Sequence, residues 1–203
     1  MLVFAPVPAS AKTLAELEKA LMRPPPKSTA FVEYRFSHLL KRAAIATGTL
    51  EYREDGAWVR TVDKPRVERA EIINDEIRMR RGDGPERRVS LSRAPQLRML
   101  LDSLRALMEG RITRLGDEFD LSLSSRDPAW GLRLAPSDAR LARQEARIDV
   151  FGTGDAPTCI EMAEPDGDAS FTLQGDAKPA DKLADRAAVE ARCRAVPIET
   201  STR

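Results

Sequence analysis

Ala30-Phe31-Val32-Glu33-Tyr34-Arg35-Phe36 decides the fold. Ala30, Val32, Tyr34 and Phe36 fall on one side of an extended chain, and Phe31, Glu33 and Arg35 on the other. That period of two belongs to a half-buried strand. Downstream, a second run reaches Leu50 and Tyr52 and breaks at Asp55-Gly56. Trp58 to Val62, Val67 to Ile73 and Ile77 to Arg81 come next, with Asn74-Asp75 and Gly82-Asp83-Gly84-Pro85 as turns. Strands resume around Phe119, Leu121 and Leu123, then Trp130, Leu132 and Leu134, then Ile148 and Val150. Ile160 with Met162 and Phe171 with Leu173 complete the set, joined across Asp166-Gly167-Asp168. Short strands at this spacing, mostly without helices between them, predict an antiparallel meander.

Three helical segments frame the strands. Thr13-Leu14-Ala15-Glu16 is a capping-box pattern, and Leu14, Leu17 and Leu21 then share one face. Pro24-Pro25-Pro26 stops that helix. A second helix is expected over 95–109, with Pro95 in its first turn and Gly110 as its C-terminal cap. Leu97, Leu100, Leu101, Leu104, Leu107 and Met108 form its apolar stripe. Arg98, Asp102, Arg105 and Glu109 face away at pairing distance. From Lys178 the composition turns to Ala, Asp, Lys and Arg, a short surface helix over Asp181 to Arg192 and a tail. Residues 12–177 thus read as one α+β domain, and 178–203 as its C-terminal helix and tail. Residues 1–11 end in the small-x-small pattern Ala9-Ser10-Ala11 and read as a residual signal peptide or a disordered N-terminus.

Composition narrows the function. Lys plus Arg is 33 against 32 for Asp plus Glu, so the basic surplus that a nucleic-acid binder needs is missing. One histidine and two cysteines are too few for zinc sites of three or four such ligands, and no metal or cofactor is expected. His38 ends an alternating strand with no partner at motif spacing. Ser90, Ser92 and Ser103 lack a nucleophile-elbow pattern, so an enzyme is not expected. Cys159 lies in the strand-like Thr158–Met162 and Cys193 just past the last helix. In an exported protein the pair reads as one disulfide pinning the tail to the sheet, and in a reducing compartment as two buried thiols. Arg78, Arg80 and Arg81, facing Arg87 and Arg88 across a turn, form a basic hairpin. It reads either as a solvated face or as a contact for an acidic headgroup or partner.

Several segments, in order, resemble the LolA family of periplasmic outer-membrane lipoprotein carriers, in particular its divergent LolA-like branch. They are Phe31-Val32-Glu33-Tyr34-Arg35, Thr47-Gly48-Thr49-Leu50, and Leu104-Arg105-Ala106-Leu107-Met108-Glu109-Gly110 leading to Leu115 and Phe119. Trp130-Gly131-Leu132-Arg133-Leu134-Ala135-Pro136, Ile148 with Gly152, and Asp166-Gly167-Asp168 follow, so the likeness spans 13–176. It implies an incomplete antiparallel β-barrel of about eleven strands, its concave face covered by helices that enclose an acyl cavity. It further implies acyl contacts from Val32, Tyr34, Phe36, Leu50, Tyr52, Trp58 and Met79 on the sheet. On the helix the implied contacts are Leu97, Leu100, Leu101, Leu104, Leu107 and Met108, the stripe then acting as a lid; its periodicity alone fits equally a core helix fixed against the sheet.

The expected function is a monomeric, non-enzymatic periplasmic carrier. Its cargo would be an acylated lipid or lipoprotein, passed between inner- and outer-membrane transfer partners. The alternative is an envelope module of the same fold that senses lipid or protein and regulates a membrane partner. One departure bears on the lid. In the carrier proper an Arg-Pro pair after the second strand ties the lid to the sheet, whereas here the matching stretch is Tyr52-Arg53-Glu54-Asp55.

Overall fold

Turn residues set the strand boundaries. Gly56, Asn74, Gly82, Gly154 and Gly167 all take positive φ, and each sits between consecutive strands. The computed structural model describes residues 12–22, 27–93, 95–138, 147–175 and 185–194, and of 95–97, 100, 104 and 108 the backbone only. The N-terminal segment 1–11, the Pro24-Pro25-Pro26 stop and residues 181–184 of the expected last helix lie outside the described residues.

Eleven strands form one antiparallel sheet. They are β1 (Lys27–Phe36), β2 (Ala44–Tyr52), β3 (Trp58–Lys64), β4 (Glu68–Ile73), β5 (Glu76–Arg81) and β6 (Arg87–Ser90), then β7 (Phe119–Arg126), β8 (Ala129–Pro136), β9 (Arg147–Thr153), β10 (Ala156–Ala163) and β11 (Ala169–Gln174). The order is β6-β5-β4-β3-β2-β1-β11-β10-β9-β8-β7, so β1 and β11 join two meanders and the sheet stays open between β6 and β7. This is the α+β incomplete barrel expected from the sequence. Gly48 permits close strand approach: a Cβ there would strike the Thr61 carbonyl oxygen, beside a register shift in the β2–β3 ladder.

Residues directly opposite each other in a ladder share a face. Leu50 faces Arg60, then Ala70, then Met79; Tyr52 faces Trp58, then Ile72, then Ile77. On the other side Leu50 faces Thr29, so Phe31 and its partner Gln174 share that face. Ile160, Val150 and Leu132 continue it. This inner face carries α1 (Leu14–Leu21), α2 (Pro95–Glu109) and a 3-10 turn over Ile112–Asp117. The outer face carries α3 (Arg186–Cys193).

Eight-residue α1 is too short to persist alone in water. Its capping box forms, with Thr13 Oγ1 accepting from Glu16 N and Glu16 accepting from Thr13 N. Leu17 and Leu21 are buried against Leu107, Ile112, Leu132 and Trp130, at roughly 1.5–3 kcal/mol per side chain. Gly110, at φ +67°, ends α2 and lets α1 approach so closely that a Cβ would lie 2.7 Å from Glu18 O. On the outer face, Val189 and Cys193 of α3 cover Val32, Tyr34, Phe151 and Phe171. Cys193 is disulfide-bonded to Cys159, with their Cα atoms 5.3 Å apart. Arg194 grips the buried Glu161 with two bonds of 2.6 and 2.8 Å. The last helix is therefore anchored at its C-terminal end to the sheet.

Candidate functional site

The inner face is unevenly filled. Its β7–β9 half packs solidly under α1 and the C-terminal part of α2, with Trp130, Leu132 and Leu134 fully buried. Over β2–β4 the same face is only half-buried, and a cavity of about 150 Å³ lies between it and α2. Leu50, Trp58, Val59, Ile72 and Ile160 supply the sheet wall and Leu101 the helix wall; Arg60, Arg105 and Gln174 complete the lining.

Both arginines are already engaged. Arg60 pairs with Glu33 at 3.0 Å and lies over the Phe31 ring, 4.8 Å from its centroid. Arg105 donates to Glu109 at 3.0 Å and to the Gly56 carbonyl at 3.4 Å. Glu109, with a side chain only 11% exposed, also takes the Tyr52 hydroxyl at 2.7 Å and pairs with Arg111. The Tyr52 ring stacks on Trp58 at 4.9 Å. Farther along α2, Arg98 reaches Asp75 in the β4–β5 turn at 3.1 Å. Polar contacts thus latch α2 to the sheet beside an apolar hollow.

A family model described as outer membrane lipoprotein carrier protein LolA-like matches residues 7–196. The chain belongs to that LolA-like family. Among solved structures it is similar to a LolA superfamily protein from Nitrosomonas europaea, at 12% identity and TM-score 0.44, covering 86% of this chain and 97% of that one. It is similar to a DUF1329 family protein from Desulfovibrio piger at 10% identity and TM-score 0.44, with coverage of 87% and 96%. It is also similar to LprF from Mycobacterium bovis at 10% identity and TM-score 0.37, with coverage of 82% and 92%. No curated protein matches.

Within the LolA-like frame the structure sorts the expected contacts. Leu50, Trp58 and Leu101 line the cavity, and Tyr52 stacks on Trp58 without lining it. Met79 shares the inner face on β5, beyond Ala70. Leu107 is 3% exposed and belongs to the packed core beneath α1. The side chains of Leu97, Leu100, Leu104 and Met108 lie outside the described residues.

Val32, Tyr34 and Phe36 require a correction. They sit on the outer face with α3, opposite the cavity. Alternation separates two faces without telling which one a helix covers, and the more apolar side of β1 serves the permanent outer core. Its inner side carries Phe31 and Glu33 instead. Glu109 and Arg105 are corrected too. They form the expected i,i+4 pair but turn toward the sheet rather than away from it.

The missing Arg-Pro has a structural counterpart. Arg53 binds Asp55 at 2.8 Å and Glu71 at 3.3 Å, both on the sheet side. The helix supplies the latch arginine instead, as Arg105. Gln174, Ile72 and Ile160 were not among the expected acyl contacts, because only strand register brings them to Leu50 and Trp58.

Four arginines of the basic hairpin, Arg78, Arg80, Arg81 and Arg88, are paired with nearby carboxylates. Arg78 bonds Glu76 at 2.7 Å, Arg81 bonds Glu68 at 2.7 Å, and Arg80 lies 4.0 Å from Glu86. His38 does find a partner. Its Nδ1 and backbone N–H both meet Asp168 Oδ1 at 2.9 Å. A Ser37 hydroxyl bond, then these two, hold the Asp168 carboxyl down at about 2, and the same contact raises the His38 pKa. His38, Asp166 and Asp168 place possible metal donors within 4.8 Å of one another. Those carboxylates already close turns, since Asp166 accepts from the Asp168 N–H.

Proposed function

We propose that this protein is a non-enzymatic periplasmic carrier of acylated lipids or lipoproteins. The observation that supports the reading is the apolar hollow between β2–β4 and α2, bordered by a polar latch. At about 150 Å³ it matches cavities that hold a single benzene ring. A long acyl chain therefore requires α2 to swing off the sheet, with the latch contacts of Glu109 and Arg105 released. Among the described residues no helix is long and apolar enough to cross a membrane. The carrier then acts as a monomer that shields the chain between inner- and outer-membrane partners.

Energetics explain why partners are needed. Each buried methylene is worth ~0.8 kcal/mol, so a sixteen-carbon chain gains up to ~12 kcal/mol before costs. Spontaneous release at that affinity is slow, and mouth-to-mouth transfer with lid rearrangement is the expected route. The test is a chain-length series of fluorescent acyl esters on delipidated protein. Kd should fall about fourfold per added methylene. Ile72→Trp, which fills the hollow, should abolish that dependence while the protein stays folded. Binding unaffected by Ile72→Trp would refute the cavity as the acyl site.

A further inference from the structure

Two residues of the cavity lining each carry a buried side-chain nitrogen without a hydrogen-bond partner among the described residues. These are Trp58 Nε1 and Gln174 Nε2. They come from strands far apart in sequence, β3 and β11, yet both line the space enclosed with Leu50, Ile72 and Leu101. A buried donor without an acceptor is costly, and such groups are rare in folded proteins. Apolar residues of similar size at both positions would suit the empty fold better. An acyl chain alone leaves both donors unsatisfied.

We propose that the cavity recognises the carbonyl oxygens of its cargo, with Trp58 and Gln174 donating to a neutral acyl ester or amide. The charge balance selects neutral over anionic. Arg60 and Arg105 are the cations of the lining, and each already holds a carboxylate at 3.0 Å, Glu33 and Glu109 respectively. An ionised carboxylate would enter a largely apolar space with no free countercharge, which is unfavourable. A neutral carbonyl needs only the two N–H groups. This deepens the carrier reading and rests on it, since it concerns the same cavity.

The experiment compares two ligands of equal carbon number, methyl decanoate and undecane, as competitors of Nile red on delipidated protein. Two neutral hydrogen bonds should favour the ester by about tenfold in Kd over the alkane. Trp58→Phe and Gln174→Met keep bulk and remove one donor each. Together they should erase the ester preference, read as the ratio of ester to alkane Kd on the same variant. The empty double variant should melt no lower than the parent, because the donors it loses were unsatisfied. Equal potency of ester and alkane on the parent would overturn the carbonyl proposal and leave the acyl cavity standing. A preference that survives in the double variant would overturn it as well. Failure of both ligands to displace the probe would refute the acyl reading itself.

Discussion

Deleting one hydroxyl from the latch should make the empty protein less stable and its acyl binding tighter. Tyr52→Phe removes the 2.7 Å bond to Glu109 and keeps the ring stacked on Trp58. Hydrogen bonds to charged groups contribute roughly 1.5–3 kcal/mol. Glu109 retains Arg105 and Arg111, so no carboxylate is orphaned and the lower figure applies. A loss of about 1.5 kcal/mol lowers Tm by about 3–6 °C for a chain of this size. The same energy acts on lid opening. If cargo enters only when α2 has left the sheet, the closed state reduces apparent affinity by the fraction of molecules that are open. Weakening the closed state by about 1.5 kcal/mol raises that fraction roughly tenfold. Kd for a long-chain ester should then fall about tenfold, mostly through faster association, with dissociation little changed. Thermal melts and stopped-flow binding on the one variant suffice. A lower Tm with unchanged or weaker binding would show that α2 is fixed core and that the lid mechanism is wrong.

The two tryptophans should separate binding from folding. Trp58→Ala should weaken acyl binding with modest loss of stability. Trp130→Ala, at a fully buried ring whose Nε1 bonds Gly154 O, should cost about 3–5 kcal/mol of stability. The reverse order would show that the faces are misassigned. Reducing Cys159–Cys193 opens a loop of sequence separation 34 and should cost roughly 3–4 kcal/mol, read from urea midpoints with and without reductant. Two free thiols in unfolded, unreduced periplasmic protein would contradict the bond. The His38–Asp168 contact carries a pH signature. The raised His38 pKa means its contribution is complete below ~6.5 and fades as pH rises through its folded value. Asp168 works in the opposite sense, its contribution present above ~3.9 and lost as pH falls toward about 2. NMR titration should find His38 titrating above ~6.5 and Asp168→Asn returning it to that value. An unshifted His38 would refute the pairing.

Much of this fold was readable because turn chemistry is local. Asp55-Gly56, Asn74-Asp75 and Asp166-Gly167-Asp168 separate strands where expected, and Pro95 and Gly110 bracket α2. The edge strand β6, Arg87-Arg88-Val89-Ser90, has a single apolar residue and gave no alternation to read. The last helix is described from Arg186, where Asp185 caps it. The site was harder to read because it depends on register. Leu50, Trp58 and Leu101 came from the family resemblance laid over the apolar pattern. Placing Gln174 beside them requires the β1–β11 pairing, which joins residues 31 and 174. The outer placement of Val32, Tyr34 and Phe36 depends on α3, whose docking rests on the Cys193 and Arg194 contacts. The latch likewise joins Tyr52 to Glu109 across 57 positions, and helical periodicity had placed Glu109 in water.

Lipid extraction and mass spectrometry of protein purified from its native envelope bear most directly on the carrier account. The parent protein should carry about one neutral ester- or amide-linked acyl species per chain, as expected for one cavity. Ile72→Trp, purified alongside, should be empty. Acyl species absent from the parent, or retained equally by the filled-cavity variant, would contradict the claim that the space between sheet and α2 carries lipid.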